Sequence, residues 1–272
     1  MGIRILGTGS FLPPKIVTND ELSKTLDTND EWIFSHTGIH ARHIAGEGES
    51  TSTMAVKAAQ KALEAAGAKP EEVGLVVVAT TTPDYNPFPA TAAIVQNALG
   101  CRHAGAFDLQ AACSGFVYAL DMARNWCIAN PSRKAIVIGA ETLSRIVDWR
   151  DRASCILFGD GAGGVLVTAS ESCAGVIAED IHSNGTDGPK LTGNALYIDT
   201  PFLSYNFPNC NYIPIEDMTF TIKDRATPRK IIRWIAEICG CYAEYCAGST
   251  YYDGEYHPSD HKTTADKGRS EE

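Results

Sequence analysis

Cys113 stands in the run Phe107-Asp-Leu-Gln-Ala-Ala-Cys113-Ser-Gly-Phe116, a pattern that ends a short strand and opens a long helix. A helix N-terminus carries partial positive charge and unpaired N–H groups, and both favour a thiolate over a thiol. Ala111, Ala112, Ser114 and Gly115 are small and leave room for a carbonyl carbon to approach the sulfur. A backbone N–H at such a turn can stabilise a developing oxyanion. The chemistry implied is nucleophilic attack on a carbonyl. The local pattern by itself also fits a core cysteine, because the free thiol is among the most buried side chains.

Other motifs are weaker. Gly159-Asp-Gly-Ala-Gly-Gly164 has the glycine density of a phosphate loop, but it runs into Val165-Leu-Val-Thr168, which reads as a strand, and it lacks the P-loop lysine. A tight structural turn is expected there. His36, His40 and His43 lie close in sequence with Arg42 among them, which favours a solvated or substrate-facing surface over a metal site. Near the C-terminus, Cys239, Cys241, Cys246, His257 and His261, with Cys210 upstream, could bind zinc. Their spacing matches no standard finger or ribbon, so no metal is expected.

The elements that must position Cys113 read as alternating β and α. Strands are expected at Ile3–Gly9, Leu75–Ala79, near Phe107, at Ala135–Ile138, Val165–Thr168 and Val176–Ile181. Asn19 or Asp20 can cap a short helix through Leu26, and Asn29 or Asp30 another to about His36, stopped by Gly38. Ser50–Gly67 is an amphipathic helix with Met54, Ala58, Ala62 and Ala66 on one face and Ala55, Ala59 and Leu63 beside them. Pro89–Leu99, with proline in its first turn, and Ser114–Ala129 are further helices. Leu75-Val-Val-Val-Ala79 is apolar on both faces, as in a strand inside a parallel sheet. The fold class is α/β with a mainly parallel sheet.

Composition bounds the rest. The chain has 272 residues, 44% of them hydrophobic, and a formal net charge of −10. That charge argues against general nucleic-acid binding, which needs cations facing phosphates. No apolar run is long enough to span a bilayer, and the N-terminus reads as a strand rather than a signal peptide. Nine cysteines without framework spacing suit a reducing, cytoplasmic setting. After about Gly193 the character changes: eight of the ten tyrosines lie between Tyr197 and Tyr256, and one amphipathic segment, Pro228 to about Cys239, stands out. The polar end from His257 is expected to be disordered.

Residues 1 to about 190 closely resemble β-ketoacyl-acyl carrier protein synthase III, an initiating condensing enzyme of the thiolase superfamily. The likeness is carried by Ile5-Leu-Gly-Thr-Gly-Ser-Phe-Leu-Pro13, Asp27-Thr-Asn-Asp-Glu-Trp-Ile33, Thr37-Gly-Ile39, Arg42-His-Ile44, Val77-Val-Ala-Thr-Thr81, Phe107–Phe116 and Phe158-Gly-Asp-Gly-Ala-Gly163. It implies a thiolase-like five-layer αβαβα fold and a homodimer. It also implies no cofactor beyond the substrates acetyl-CoA and malonyl-acyl carrier protein. Cys113 matches the nucleophile that accepts the acyl group before decarboxylative condensation with the acyl carrier protein substrate. Trp32 matches the residue that stacks on the adenine of coenzyme A, Thr28 and Arg152 match other contacts to the nucleotide end, and Phe88 matches a residue that reaches the partner's acyl pocket. Where the family often has arginine, this chain has His36.

The family draws a histidine and an asparagine for condensation from Pro-His-Gln-Ala-Asn and Asn-Thr-Ser runs in its second half, and neither run occurs in this sequence. Two segments are therefore expected: 1–190, an intact N-terminal thiolase-like half, and 191–272, where the second half is missing or replaced, by a shifted reading frame or by a divergent tail. The expected activity is that of the family. The alternatives are acylation followed by slow hydrolysis, and a non-catalytic dimer or binding partner. An N-terminal half without its partner would expose apolar surface and be poorly stable.

Overall fold

The computed structural model describes residues 2–171, 175–176, 181–183 and 185, together with the backbone of 191–194 and 219–222. The expectations for Pro228–Cys239, for the cysteines and histidines of the tail and for the polar end lie outside the described residues, and so does most of the segment 191–272.

Strand β4 (Val73–Ala79) lies one strand in from an edge of the sheet, and all seven of its residues are buried. It pairs in parallel with β5 (Gly105–Leu109) on one edge and with β6 (Lys134–Thr142) on the other. Beyond β6 lies β7 (Asp160–Ser170), antiparallel to it, and beyond β7 lies β1 (Gly2–Phe11), also antiparallel. The sheet order is β1-β7-β6-β4-β5, so the sheet is mixed rather than mainly parallel. The crossover helices impose parallel pairing on β4, β5 and β6, whereas β7 returns from β6 without a full crossover and reverses direction.

Alternate residues of the central strands point to opposite faces. Val76, Val78, Ile136 and Ile138 pack with α3 (Thr51–Ala66) and α4 (Thr91–Leu99). Leu75, Val77, Ala135 and Val137 pack with Ala119, Ala123 and Cys127 of α5 (Gly115–Ala129). The result is an αβα sandwich. Ser50 caps α3 by accepting the Thr53 N–H, Gly67 ends the helix in the left-handed conformation, and of the expected stripe Met54, Ala55, Ala58, Ala59, Ala62 and Leu63 are buried and Ala66 is half-buried. The alanines let the helix lie close on β1. A Cβ placed on Gly9 would stand 2.2 Å from the Ala58 carbonyl oxygen.

A smaller unit leans on the sandwich. Hairpin strands β2 (Lys15–Thr18) and β3 (Ala41–Ile44) flank the helices α1 (Asn19–Leu22) and α2 (Asp30–Thr37). The cap of α1 is Thr18, in a reciprocal capping box with Glu21, rather than Asn19 or Asp20, and the helix stops at Leu22. Asn19 is buried, and its side-chain amide donates to Asp30 and to the Ile39 carbonyl. Buried Arg42 donates to Asn19 Oδ1 at 2.7 Å and to the carbonyls of Val17 and Ile156, which fastens the hairpin to α6 (Arg152–Cys155) and the residue that follows it. Leu22, Ile33, Val147, Cys155 and Ile156 form the apolar contact beneath.

Three further expectations are corrected. Helix α4 begins at Thr91, so Pro89 precedes it. The glycine run is not a turn: Gly161, Gly163 and Gly164 lie within β7, paired to β6 on one side, while Gly163 and Gly164 also pair to β1. Val176 forms only an isolated bridge with Ile3, and residues 177–180 of that expected strand lie outside the described residues. Strands β8 (Leu191–Asn194) and β9 (Thr219–Ile222) pair with each other, antiparallel and apart from the main sheet. Among the described residues no helix is long and apolar enough to cross a membrane.

Gly9→Ala is expected to lower stability by about 1–3 kcal/mol, because backbone on both sides must yield. Gly163→Ala, with nothing within 4 Å of the added methyl, should change it by less than about 0.5 kcal/mol. Chemical denaturation of both variants reads the contrast, and equal effects would refute the close approach of α3 to β1.

Candidate active site

In an open α/β sheet, ligands bind beyond the carboxyl ends of the parallel strands. Three expected site residues leave that edge here. Phe88 follows β4, Cys113 follows β5, and Arg152 follows β6. Their common position is set by strand direction alone.

Cys113 lies in a single 3-10 turn, Ala112–Ser114, between β5 and α5, and it is exposed. The turn is sharp. Ala112 has φ 47°, the left-handed region that side chains other than glycine avoid. Strain of this kind costs about 1–3 kcal/mol and persists only where surrounding contacts impose it. Two contacts do so. The Ser114 N–H donates to the Ala111 carbonyl at 3.1 Å. Gly115, the first residue of α5, lies so close to β4 that an added Cβ would meet the Ala79 Cβ at 3.2 Å. The structure therefore puts the thiol at the head of α5, as expected, and exposes it rather than burying it in the core.

Arg152 is brought to Trp32 and to Asp27, the neighbour of Thr28, although it is more than a hundred residues away in sequence. The Arg152 guanidinium carbon lies 4.4 Å from the centre of the Trp32 ring, and its Nη1 donates to the Asp27 carbonyl at 2.6 Å. Asn29 caps α2 through the Trp32 N–H at 2.7 Å, which fixes the indole's starting point. Thr28 Oγ1 is buried without a hydrogen-bond partner. Such an orphan hydroxyl is uncommon in folded chains. His36 stacks on Trp32 at 4.3 Å, and its Nδ1 lies 2.7 Å from the Trp32 carbonyl oxygen. His40 stacks on Phe34 and pairs with Asp30, and that bond holds the Asp30 carboxyl below its ordinary range. His43 bonds the Pro13 carbonyl. The three histidines thus have separate partners, and among the described residues no group of three or more histidine, cysteine or acidic side chains is placed to hold a metal.

Phe88 is 77% exposed. Its segment is anchored at both ends. Asp84 accepts the Ser50 hydroxyl and the Ser52 N–H at the start of α3. At the other end Asp108, on β5, accepts the Thr91 and Ala92 N–H groups, both at 2.7 Å. Ala90, at the cap position of α4, has no side chain able to do this, so a neighbouring strand supplies the cap. Asp108 lies inside the motif that carries Cys113. Nothing local in the sequence gives Asp108 a role; its available signal is a charge within a short strand beside the cysteine turn.

The fold and the exposed cysteine at the head of α5 define the described chain as thiolase-like α/β. A family model for 3-oxoacyl-[acyl-carrier-protein] synthase III matches residues 107–185. A β-ketoacyl-[acyl-carrier-protein] synthase III from Ehrlichia canis is 55% identical over 183 residues, covering 67% of this chain and 57% of the relative. One from Erythrobacter litoralis is 52% identical over 198 residues, covering 72% and 60%. The crystal structure of the Aquifex aeolicus synthase III superposes with a TM-score of 0.66 at 47% identity, covering 70% of this chain and 61% of that one. Residues 1 to about 190 belong to the β-ketoacyl-acyl carrier protein synthase III family. The chain spans less than two thirds of the length of each of these relatives.

Asp108→Ala should lower stability by about 1–2 kcal/mol, the loss of a helix cap with two charge-assisted bonds. Thermal or chemical unfolding checks this, and an unchanged midpoint would contradict the capping role.

Proposed function

We propose that this chain carries the acyl-accepting site of a β-ketoacyl-acyl carrier protein synthase III, with Cys113 as the nucleophile. The Cys113 thiolate attacks the thioester carbonyl of acetyl-CoA, the bond from that carbonyl carbon to the coenzyme A sulfur breaks, and the acetyl group remains on Sγ. One thioester replaces another, so the step needs positioning more than driving force. In the complete family reaction malonyl-acyl carrier protein then loses carbon dioxide. The resulting carbanion attacks the acetyl carbonyl, and Cys113 leaves as thiolate from acetoacetyl-acyl carrier protein. No cofactor is needed beyond these two thioester substrates.

The observation that supports this reading is an exposed cysteine at the head of α5 together with the Trp32–Arg152 pair, Cys113 and Arg152 both lying on segments that follow parallel strands at their carboxyl ends. Trp32 and Arg152 offer flat, cation-bearing surfaces for an adenine and its phosphates. Phe88, exposed on its anchored segment, suits insertion into a second copy. The partners proposed are acyl-CoA, acyl carrier protein and that second copy, in a cytoplasmic setting. His36, in place of the family's arginine, weakens the nucleotide contact without removing it.

A second reading has a specific observation behind it: neither of the family's condensation runs occurs in this sequence. On that reading the chain acylates Cys113 and then releases the acyl group slowly to water.

Intact-protein mass spectrometry after incubation with acetyl-CoA should show one acetyl group on the parent and none on Cys113→Ala. No adduct on the parent would refute the acyl-transfer proposal and favour a non-catalytic partner. Trp32→Ala should raise the half-saturating acetyl-CoA concentration about tenfold, since stacking a base on an aromatic ring contributes roughly 1–3 kcal/mol. No change would remove Trp32 from the nucleotide site.

A further inference from the structure

We propose that Glu141 is a positioning residue for Cys113, acting through the Thr80–Thr82 turn, an inference that rests on the reading of Cys113 as the nucleophile. Glu141 is the next-to-last residue of β6. Its Oε1 accepts the Thr81 N–H at 2.8 Å. Its Oε2 accepts the hydroxyls of Thr80 at 3.3 Å, Thr81 at 3.1 Å and Thr82. One carboxylate thus collects four donors from three consecutive threonines, and no described cation pairs with it. Burial raises its pKa, and the donors work against that rise.

The turn it closes is joined to the cysteine strand by backbone. The Thr80 N–H donates to the carbonyl of Leu109, the last residue of β5, at 3.1 Å. Leu109 is paired with Ala79 in register, and Ala79 is the residue against which Gly115 packs. The end of β4, the end of β5 and the first residue of α5 therefore form one joint, and Cys113 sits between the last two. Glu141 clamps the β4 side of that joint from the neighbouring strand. Further bonds tie the clamp to the body of the fold. The Thr142 N–H donates to Thr82 Oγ1 at 2.8 Å, and the Thr51 hydroxyl donates to the Thr82 carbonyl at 2.6 Å.

A desolvated carboxylate costs stability unless its bonds are well made, and an apolar side chain of similar size often serves a core as well or better. The four bonds at Glu141 fix the direction in which the chain leaves β4, and the strained Ala112–Ser114 turn needs such a fixed support.

The test is the rate at which iodoacetamide alkylates each cysteine, mapped by peptide mass spectrometry on the full chain. Cys101, Cys127 and Cys155 are buried, and burial pushes each thiol up to about 11, so they report loosening of the core. Glu141→Ala should slow Cys113 at least threefold and leave those three as unreactive as in the parent. Glu141→Gln, which keeps an acceptor for the Thr81 N–H, should recover at least half of the parent rate. Thr80→Val, a milder change should Glu141→Ala not fold, should slow Cys113 at least twofold. An unchanged Cys113 rate in either Glu141→Ala or Thr80→Val overturns the proposal. So does slowing accompanied by labelling of the three buried thiols, which would mark a structural role alone. Alkylation needs no coenzyme A, so a parent that alkylates at Cys113 but accepts no acetyl group refutes the acyl-transfer reading and leaves this one to its own result.

Discussion

Everything at the candidate site depends on β4 being buried on both faces and hydrogen-bonded on both edges. Its seven residues are inaccessible, with α3 and α4 against one face and α5 against the other. Complete burial of a valine-sized side chain contributes roughly 1.5–3 kcal/mol, so a strand carrying Val73, Val76, Val77 and Val78 is a rigid reference for its neighbours. Because β5 and β6 run parallel to it, their carboxyl ends are brought level with its own. The segments that leave those ends carry Phe88, Cys113 and Arg152.

Burial alone would leave that edge loose, since the chain must break from the sheet three times in succession. Acidic side chains fasten it. Asp108 caps α4 from β5, and Glu141 holds the turn after β4. Asp160, buried at the start of β7, accepts the Ala45 and Ser144 N–H groups and the Ser144 hydroxyl. Each takes donors from a segment other than its own, so the loops are set relative to one another as well as to the sheet. Against such a frame the left-handed Ala112 becomes tolerable, and the exposed position of Cys113 follows from it.

Much of this was legible in the sequence. The alanine stripe of α3 could be read because small residues at helical spacing between Ser50 and Gly67 have one economical packing. The double-sided burial of β4 could be read because nothing in Leu75–Ala79 is polar. The Cys113 turn stood out for its small neighbours. Strand direction was less legible: a mainly parallel sheet was expected, yet β7 is antiparallel to both its neighbours, because pairing sense is decided by connections, and its glycines looked like a turn because glycine density carries no sign of a strand paired on both edges. The acidic fasteners were missed for a common reason. Asp108, Glu141 and Asp160 act on donors distant in the chain, 16 or 17 residues for Asp108 and 59 to 61 for Glu141, and no local pattern records such a bond. Likewise Thr28 and Trp32 were paired with Arg152 through family likeness, and it is the fold, through the Asp27 carbonyl and the Trp32 ring, that brings Arg152 to Trp32 and to the neighbour of Thr28.

The central claim is that acetyl-CoA reaches from the Trp32–Arg152 pair to the Cys113 turn. The most direct measurement is a crystal structure of this chain, as Cys113→Ala, with acetyl-CoA bound. The account predicts the adenine against Trp32 and Arg152, and the acetyl carbonyl at the head of α5 beside residue 113. Acetyl-CoA bound with its acetyl end away from that turn, or with its adenine away from Trp32, would contradict it.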